Sequence, residues 1–426
     1  MWTIERNLYD QNENAVYETL FTLANGYVSF RGVEEFSNRK IPGTYLAGVF
    51  DKSDAQVTEL VNLPDPLSIR IYIDNEPLLL ELVEVLDYDR KLNMKDGIVE
   101  STYILKTNSG KRISISSKRL VSRKNRNRFA VKYTIRPLNF SGKIIVENCI
   151  DNSTFNGSLE PLNKIQHYQV LASNEEMPGI SSLVCTFDKG HVIAFRTALK
   201  GKDRNGENTL RFRKFRTIGQ NPCELFTIFV DENEEYTVEK LGTVFSSRES
   251  CGPLKEASLE LAEFYIDGFD SELSAHTAII NEFWNQADVK IEGDDTAQLG
   301  IRFNLYHLYQ CVDDDPTVSI GARGLHGEGY KGHVFWDTEI FMFPFFLYTL
   351  PEYAKNLLLY RYNTLKGARK NAELNGYKGA QFPWESADDG LEVTPKWGQD
   401  YVGNPVRIWT GDEEFHINSD IAVALI

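Results

Sequence analysis

The spacing of apolar residues changes once along this 426-residue chain, and the change limits the folds that the chain can adopt. Up to about residue 250, apolar and polar residues alternate with a period of two, as in residues 67–73. Such alternation is typical of half-buried strands, and turn signals such as residues 108–110 separate the runs. Many short strands with few helical stretches predict an antiparallel β-sandwich rather than alternating strand-helix units.

Helical spacing of apolar residues begins after Cys251-Gly-Pro253. Asp294 is a candidate N-cap for a second helix, while Pro351 and Gly376 bracket a third helical segment. We therefore predict an N-terminal β-sandwich domain at 1–250, a helical linker at 251–293 and a helical domain at 294–426.

Composition narrows the function classes. The chain has 61 acidic and 46 basic residues, a net charge of −15, which disfavours nucleic acid and anionic lipid as partners and favours a neutral small molecule. No stretch approaches the roughly 18 apolar residues of a membrane-spanning helix, and the first residues lack the features of a signal peptide. Five scattered cysteines predict neither a disulfide framework nor a zinc site. We expect a cytoplasmic protein without a membrane partner.

Three short patterns have competing interpretations. The run from Lys118 to Arg128 holds six basic residues and no acid, and we interpret it as the solvated face of a hairpin rather than a phosphate-binding patch. Residues 327–332 satisfy the letters GxGxxG, but no buried strand precedes them, so we predict a glycine turn near Arg323 and Lys331 rather than a nucleotide site.

His416 and Asp420 could share a helix face, but a third metal ligand is missing, so we predict no metal.

Two tryptophan–acid pairs carry the strongest chemical signal. Trp336 precedes Asp337, and Trp384 precedes Glu385. An indole stacks on the apolar face of a pyranose, while a carboxylate accepts hydrogen bonds from its hydroxyl groups. One such pair is also ordinary core material, but two pairs in one region favour a sugar-binding site.

The stretch from Gly321 to Pro344, GARGLHGEGYKGHVFWDTEIFMFP, closely resembles the signature of glycoside hydrolase family 65, the inverting phosphorylases of maltose, trehalose, kojibiose or nigerose. The similarity continues through residues 358–362, 379–387, 392–395 and 411–420. It implies an N-terminal super β-sandwich, a helical linker and an (α/α)6 barrel. A complete barrel has twelve helices, so 294–426 is expected to hold only its N-terminal part.

The resemblance also implies residue roles. Trp336 and Asp337 would hold the glucosyl unit that is cleaved, with Trp384 and Glu385 beside the scissile bond and the acceptor sugar. Glu414 and His416 would lie near the acceptor. The substrate-binding residues that we expect are Trp336, Asp337, Thr338, Glu339, Trp384, Glu385, Arg323, Glu414 and His416.

The family's general acid is a Glu in a Gly-Pro-Asp-Glu-Tyr-like stretch, which we expect beyond Ile426. We nominate no catalytic residue within 1–426, although Glu339, Glu385 and Glu414 are the candidate substitutes. The implied partners are an α-linked glucose disaccharide and inorganic phosphate, without a cofactor, and the family allows a homodimer. This polypeptide alone is expected to be inactive. The alternatives are an inverting trehalase-like hydrolase and a non-catalytic carbohydrate-binding fragment.

Overall fold

The computed structural model describes residues 1–38, 40–157 and 164–426. Its strands, in chain order, are β1 (Thr3–Arg6), β2 (Leu23–Ala24), β3 (Val28–Phe30), β4 (Thr44–Leu46), β5 (Phe50–Asp51), β6 (Glu59–Leu60), β7 (Ile69–Ile73), β8 (Glu76–Pro77), β9 (Glu84–Asn93), β10 (Ile98–Lys106), β11 (Arg112–Val121), β12 (Arg128–Pro137), β13 (Gly142–Cys149), β14 (Tyr168–Glu175), β15 (Ile180–Thr186), β16 (Val192–Asp203), β17 (Arg211–Ile218), β18 (Asn221–Val230), β19 (Tyr236–Ser246), β20 (Trp397–Gln399) and β21 (Pro405–Arg407). Its α-helices are α1 (Asn14–Leu20), α2 (Pro253–Ala287), α3 (Asp295–Tyr309), α4 (Phe343–Thr349), α5 (Pro351–Asn363), α6 (Leu365–Leu374), α7 (Thr410–Glu413) and α8 (Ile417–Leu425).

Two large antiparallel sheets make up the N-terminal part. Nine strands pair in the order β1-β9-β10-β11-β12-β19-β16-β15-β14, and five pair in the order β17-β18-β13-β7-β8. The sheets face each other, since the buried Lys240 amine of β19 donates to the carbonyl oxygens of Ser68, at 2.5 Å, and Cys149, at 3.1 Å. The predicted sandwich is confirmed, and Ile69, Ile71 and Ile73 alternate into its core.

The long helix α2 covers the outer face of the large sheet. Leu261, Phe264 and Phe269 are buried against a cluster that includes Ala130 of β12 and Leu241 of β19. Apolar side chains at helical spacing form one stripe along the helix, and this stripe is buried against the sheet. Because a helix gains most of its stability from such packing, α2 depends on the sheet for its stability. Gly268 interrupts the helix with φ 75° and ψ 174°.

The helices after residue 294 form part of a barrel. Asp294 caps α3, since its side chain accepts hydrogen bonds from the backbone amides of Thr296, at 3.0 Å, and Ala297, at 2.9 Å. Pro351 begins α5 as predicted. The predicted helical segment is, however, two helices, because α5 ends before Thr364 and α6 begins after it. In the described parts of the chain, no helix combines the length and the apolar character needed to cross a bilayer.

Only part of the basic run at 118–128 is solvated, since Lys118 and Lys124 are exposed but two arginines are buried. Arg119 is buried and pairs with Glu35 at 2.7 Å, and Arg128 is buried and pairs with Glu272 of α2 at 2.9 Å. Arg123 donates to the carbonyl oxygen of Val312 at 3.2 Å. The interpretation was wrong for Arg119 and Arg128, because the acids that pair with them lie far away in sequence, on elements that only the fold brings near.

Two cysteines also depart from the sequence expectation. Cys149 of β13 and Cys223 of β18 lie directly opposite each other in the five-stranded sheet and form a disulfide. Their separation of 74 residues gave no spacing signal, since only the strand register brings them together.

Candidate functional site

The segment before Trp336 is fixed to the N-terminal part by polar contacts. The carboxylate of Glu328 accepts hydrogen bonds from the side-chain amide of Asn62 at 3.2 Å and from the backbone amide of Gly157 at 2.6 Å. Lys331 pairs with Glu59 at 3.1 Å. Burial raises the pKa of Glu328, which its hydrogen bonds only partly offset.

A short antiparallel bridge brings the two tryptophan–acid pairs together. Val334 and Ser386 exchange backbone hydrogen bonds of 2.9 Å in both directions. In an antiparallel pairing, two residues forward on one side meet two residues back on the other, which places Trp336 beside Trp384. Their ring centroids lie 6.3 Å apart.

A π-helical turn follows Asp337 and turns the next two side chains inward. Thr338 donates from its hydroxyl to the carbonyl oxygen of Ile320 at 2.9 Å. Glu339 accepts two hydrogen bonds of 2.8 Å from Arg361, and both side chains are buried. Thr338 and Glu339 were expected to bind substrate, but their polar groups are occupied within the protein.

Glu392 holds the backbone of the second pair. Its carboxylate accepts hydrogen bonds from the amides of Trp384 at 2.7 Å, Glu385 at 3.3 Å and Thr394 at 3.0 Å. Burial raises the pKa of Glu392, while these donors act in the opposite direction. The side chain of Glu385 itself contacts His333 at 2.6 Å.

His416 lies against both tryptophan rings. Its ring centroid lies 4.8 Å from that of Trp336 and 5.9 Å from that of Trp384, edge-on in both contacts. It is the N-cap residue of α8, and its Nδ1 lies 2.5 Å from Oδ2 of Asp420. Glu414 lies 3.5 Å from the same ring and is exposed.

Arg323 is farther from this aromatic cluster. It is exposed and lies 5.4 Å over the ring of Tyr330, which contacts Phe335 at 5.4 Å, and Phe335 in turn contacts Trp384 at 6.1 Å. Two intermediate rings, those of Tyr330 and Phe335, thus connect Arg323 to the tryptophan pair.

Two polar groups at the cluster are available to a ligand. The buried indole nitrogen of Trp336 has no hydrogen-bond partner within residues 1–38, 40–157 and 164–426. Over the same residues the half-buried Asp337 side chain makes no hydrogen bond or ion pair. An unpaired donor beside a free carboxylate and aromatic faces can recognise hydroxyl groups on a ring with an apolar side.

Sequence reasoning missed the roles of His333 and Glu392. Both lie inside the stretches that carry the family resemblance, but neither is next to a tryptophan. Their partners are a carboxylate 52 residues away and backbone amides, which residue type and local spacing do not reveal.

Comparison with known proteins finds relatives over the whole chain. Residues 4–283 match the family described as glycosyl hydrolase family 65, N-terminal domain, and residues 302–426 match its central catalytic domain. A kojibiose phosphorylase of Caldanaerobacter subterraneus is 46% identical over all of this chain, and an alpha,alpha-trehalose phosphorylase of Thermoanaerobacter brockii is 31% identical. This chain spans 56% of the length of each of these relatives.

A solved structure shows the same fold. The putative kojibiose phosphorylase from human microbiome superposes with a TM-score of 0.87 at 23% identity. The match covers 100% of this chain and 55% of the solved one. The super β-sandwich, the helical linker and the partial (α/α)6 barrel are therefore those of the matched fold.

Proposed function

This chain belongs to glycosyl hydrolase family 65, and on that basis we propose that it is the sugar-binding part of an inverting phosphorylase of an α-glucosyl disaccharide. The observation that carries the proposal is the cluster of Trp336, Trp384 and His416, with the unpaired indole nitrogen of Trp336 beside the free Asp337. Inorganic phosphate is the second substrate, and no cofactor is required.

We assign the roles that the resemblance to glycosyl hydrolase family 65 implies. Trp336 and Asp337 bind the glucosyl unit whose bond is cleaved, and Trp384 and Glu385 contact the acceptor side. Glu414 and His416 border the acceptor, and Arg323 is a cation at the rim. Thr338 and Glu339 support the site without contacting sugar, because their polar groups already have protein partners.

Inverting phosphorolysis needs one acid. The acid protonates the leaving oxygen while phosphate attacks the anomeric carbon from the opposite face, giving β-glucose 1-phosphate and the free acceptor. Glu339 is a poor donor, because its bidentate pair with Arg361 requires the carboxylate form. Glu385 is engaged by His333, and the exposed Glu414 lies beside His416. We therefore propose that the acid comes from outside residues 1–426 and that this polypeptide alone does not turn over.

Calorimetry and a product assay test the proposal together. We expect the 426-residue polypeptide to bind glucose or one of kojibiose, nigerose, trehalose and maltose, without releasing β-glucose 1-phosphate when phosphate is added. Trp336→Ala should abolish the binding, whereas Trp397→Ala, at an exposed tryptophan on β20, should leave it unchanged.

Each other outcome has a meaning. Release of β-glucose 1-phosphate would refute the inactivity, and glucose release that does not depend on phosphate would favour a trehalase-like hydrolase. Absence of binding to all five sugars would contradict the sugar-binding assignment itself. Binding without a role in any phosphorylase would leave the carbohydrate-binding alternative.

We also propose a cytoplasmic location and a homodimer, the latter by family resemblance. Exposed apolar side chains on the helical part, including Phe341, Tyr348 and Leu425, offer surface for such an association. Sedimentation of the purified polypeptide tests the homodimer, and a monomer across a wide concentration range would contradict it.

A further inference from the structure

His333 lies between the N-terminal part and Glu385, and each of its ring nitrogens faces a different oxygen. Nδ1 lies 2.6 Å from Oε2 of Glu385, and Nε2 lies 2.6 Å from the carbonyl oxygen of Thr58. The His333 side chain is fully buried. Because a carbonyl oxygen only accepts hydrogen bonds, Nε2 must carry a hydrogen.

This hydrogen determines what Nδ1 can do. With Nε2 protonated, a neutral ring has a bare Nδ1, so a 2.6 Å contact with a carboxyl group requires one further hydrogen between them. That hydrogen is bonded either to Nδ1 of an imidazolium at His333 or to Oε2 of a carboxylic acid at Glu385. In both cases the resulting hydrogen bond holds Oε2 against the ring of His333. The other oxygen of Glu385, Oε1, has no hydrogen-bond partner in the described ranges 1–38, 40–157 and 164–426.

We propose that His333 is a positioning residue, which holds Glu385 with Oε1 facing the sugar by sharing one hydrogen through Nδ1 while Nε2–H is anchored on Thr58. The part of this inference that concerns sugar rests on the proposed function. The part that concerns the shared hydrogen does not.

The anchor on Thr58 belongs to a wider docking of the segment 328–333 onto residues 58–62. Lys331 pairs with Glu59, and a Cβ atom at Gly332, whose φ is 70°, would lie 2.4 Å from Cβ of Leu60. Glu328 binds Asn62 on the same side. The N-terminal part thereby sets the position of a side chain in the candidate site, although it supplies none of the tryptophans.

Two-bond ¹H–¹⁵N spectra of ¹⁵N-histidine-labelled protein test the shared hydrogen directly. Spectra of the His333→Asn variant identify the His333 signals by their loss. We expect Nε2 of His333 to carry a hydrogen in the wild type, and the Nδ1 signal to move in Glu385→Gln while Nε2–H stays. An unprotonated Nε2, or an Nδ1 signal that Glu385→Gln does not move, would overturn the inference.

Two isosteres separate the two contacts of the ring in sugar binding. The amide nitrogen of Asn reaches the place of Nδ1, so His333→Asn keeps a donor to Glu385 and loses Thr58. Gln reaches the place of Nε2, so His333→Gln keeps the contact with Thr58 and loses the one with Glu385. We expect His333→Gln to weaken disaccharide binding about tenfold or more, the usual loss for a hydrogen bond to a charged group, and His333→Asn to weaken it less.

The reverse order of the two variants would overturn the positioning role. Circular dichroism at 25 °C checks that both are folded, and where either is not, the Glu385→Gln spectrum still decides. If the wild type binds none of the sugars, the proposed function fails while the spectra continue to decide the link between His333 and Glu385.

Discussion

At the scale of single residues, neighbours in one motif serve different ends. Asp337 is left free beside Trp336, whereas Glu339, two residues on, is paired with Arg361 across a π-helical turn. The guanidinium of Arg361 also donates to the carbonyl oxygen of Phe335 at 2.9 Å, so one buried ion pair fixes the backbone that presents Trp336. The sequence motif predicted that residues 336–339 bind substrate. The geometry of the turn then distinguishes the side chain without a partner among the described residues, Asp337, from the buried and paired Glu339.

Glu339→Gln should therefore destabilise the protein. Removing one charge of a buried pair leaves the other uncompensated, which typically costs about 3–5 kcal/mol in the free energy of unfolding. Urea denaturation followed by circular dichroism measures the change. Glu373→Gln is the control, since Glu373 pairs with Lys370 on the surface, where we expect no measurable change. Equal effects of the two substitutions would contradict the framework role of Glu339.

His333 marks the limit of prediction at this scale. A sequence shows that a histidine is present, but its two partners lie 52 and 275 residues away, and one of them is a backbone oxygen. That Trp336 and Trp384 belong to one region could be predicted, because in each case the next residue in the sequence is an acid.

At the scale of elements, periodicity predicted several of the strands and the linker helix. The hairpin of β10 and β11 pairs Tyr103 with Ile115 and Leu105 with Ile113, as alternation around residues 108–110 indicates. The interruption of α2 was not predicted, because an isolated glycine in a helical pattern is usually tolerated. At Gly268 the backbone amide of Phe269 leaves the helix and donates to Glu239 at 3.2 Å, which ties the helix to β19.

Gly268→Ala should destabilise the protein by about 1–3 kcal/mol, because a φ of 75° with ψ near 174° is a conformation that only glycine adopts readily. Gly300→Ala, in the exposed middle of α3 with open space around it, should instead stabilise by about 0.5–1 kcal/mol. Thermal unfolding of the two variants gives the comparison. Stabilisation by both substitutions would show that the interruption at Gly268 does not exist in solution.

At the scale of the whole molecule, contacts between distant segments decide what local patterns cannot. Arg123 donates to the carbonyl oxygen of Asn25 at 2.6 Å and to the hydroxyl of Tyr353 at 3.0 Å, joining the sheet to the barrel helices. The basic run at 118–128 was interpreted from its own residues as the solvated face of a hairpin. Whether a basic residue is exposed to solvent depends on elements that are distant in sequence and pack against it. For this reason the sequence did not reveal that Arg119 and Arg128 are buried.

The same packing buries histidines in the neutral form, which makes stability depend on pH. In His276, Nδ1 accepts from the amide of Arg123 at 3.0 Å and Nε2 lies 3.1 Å from the carbonyl oxygen of Gly97, so protonation would break the first contact. Burial lowers the pKa of His276 and of His326 to about 4, and that of His307 well below its ordinary value.

Between pH 6.5 and 4 the unfolded chain binds protons that these folded histidines refuse, so the free energy of unfolding falls as the pH falls, by up to about 1.4 kcal/mol per pH unit for each group. Glu18 acts in the opposite direction, since burial raises its pKa to about 7, and Glu328 and Glu392, whose pKa burial also raises, add to this partial offset. Urea midpoints should therefore drop steadily from about pH 7 to pH 5. His276→Gln should flatten this slope and His416→Gln, at an exposed ring, should not. A midpoint that rises on acidification, or an unchanged slope in His276→Gln, would contradict the neutral burial of His276.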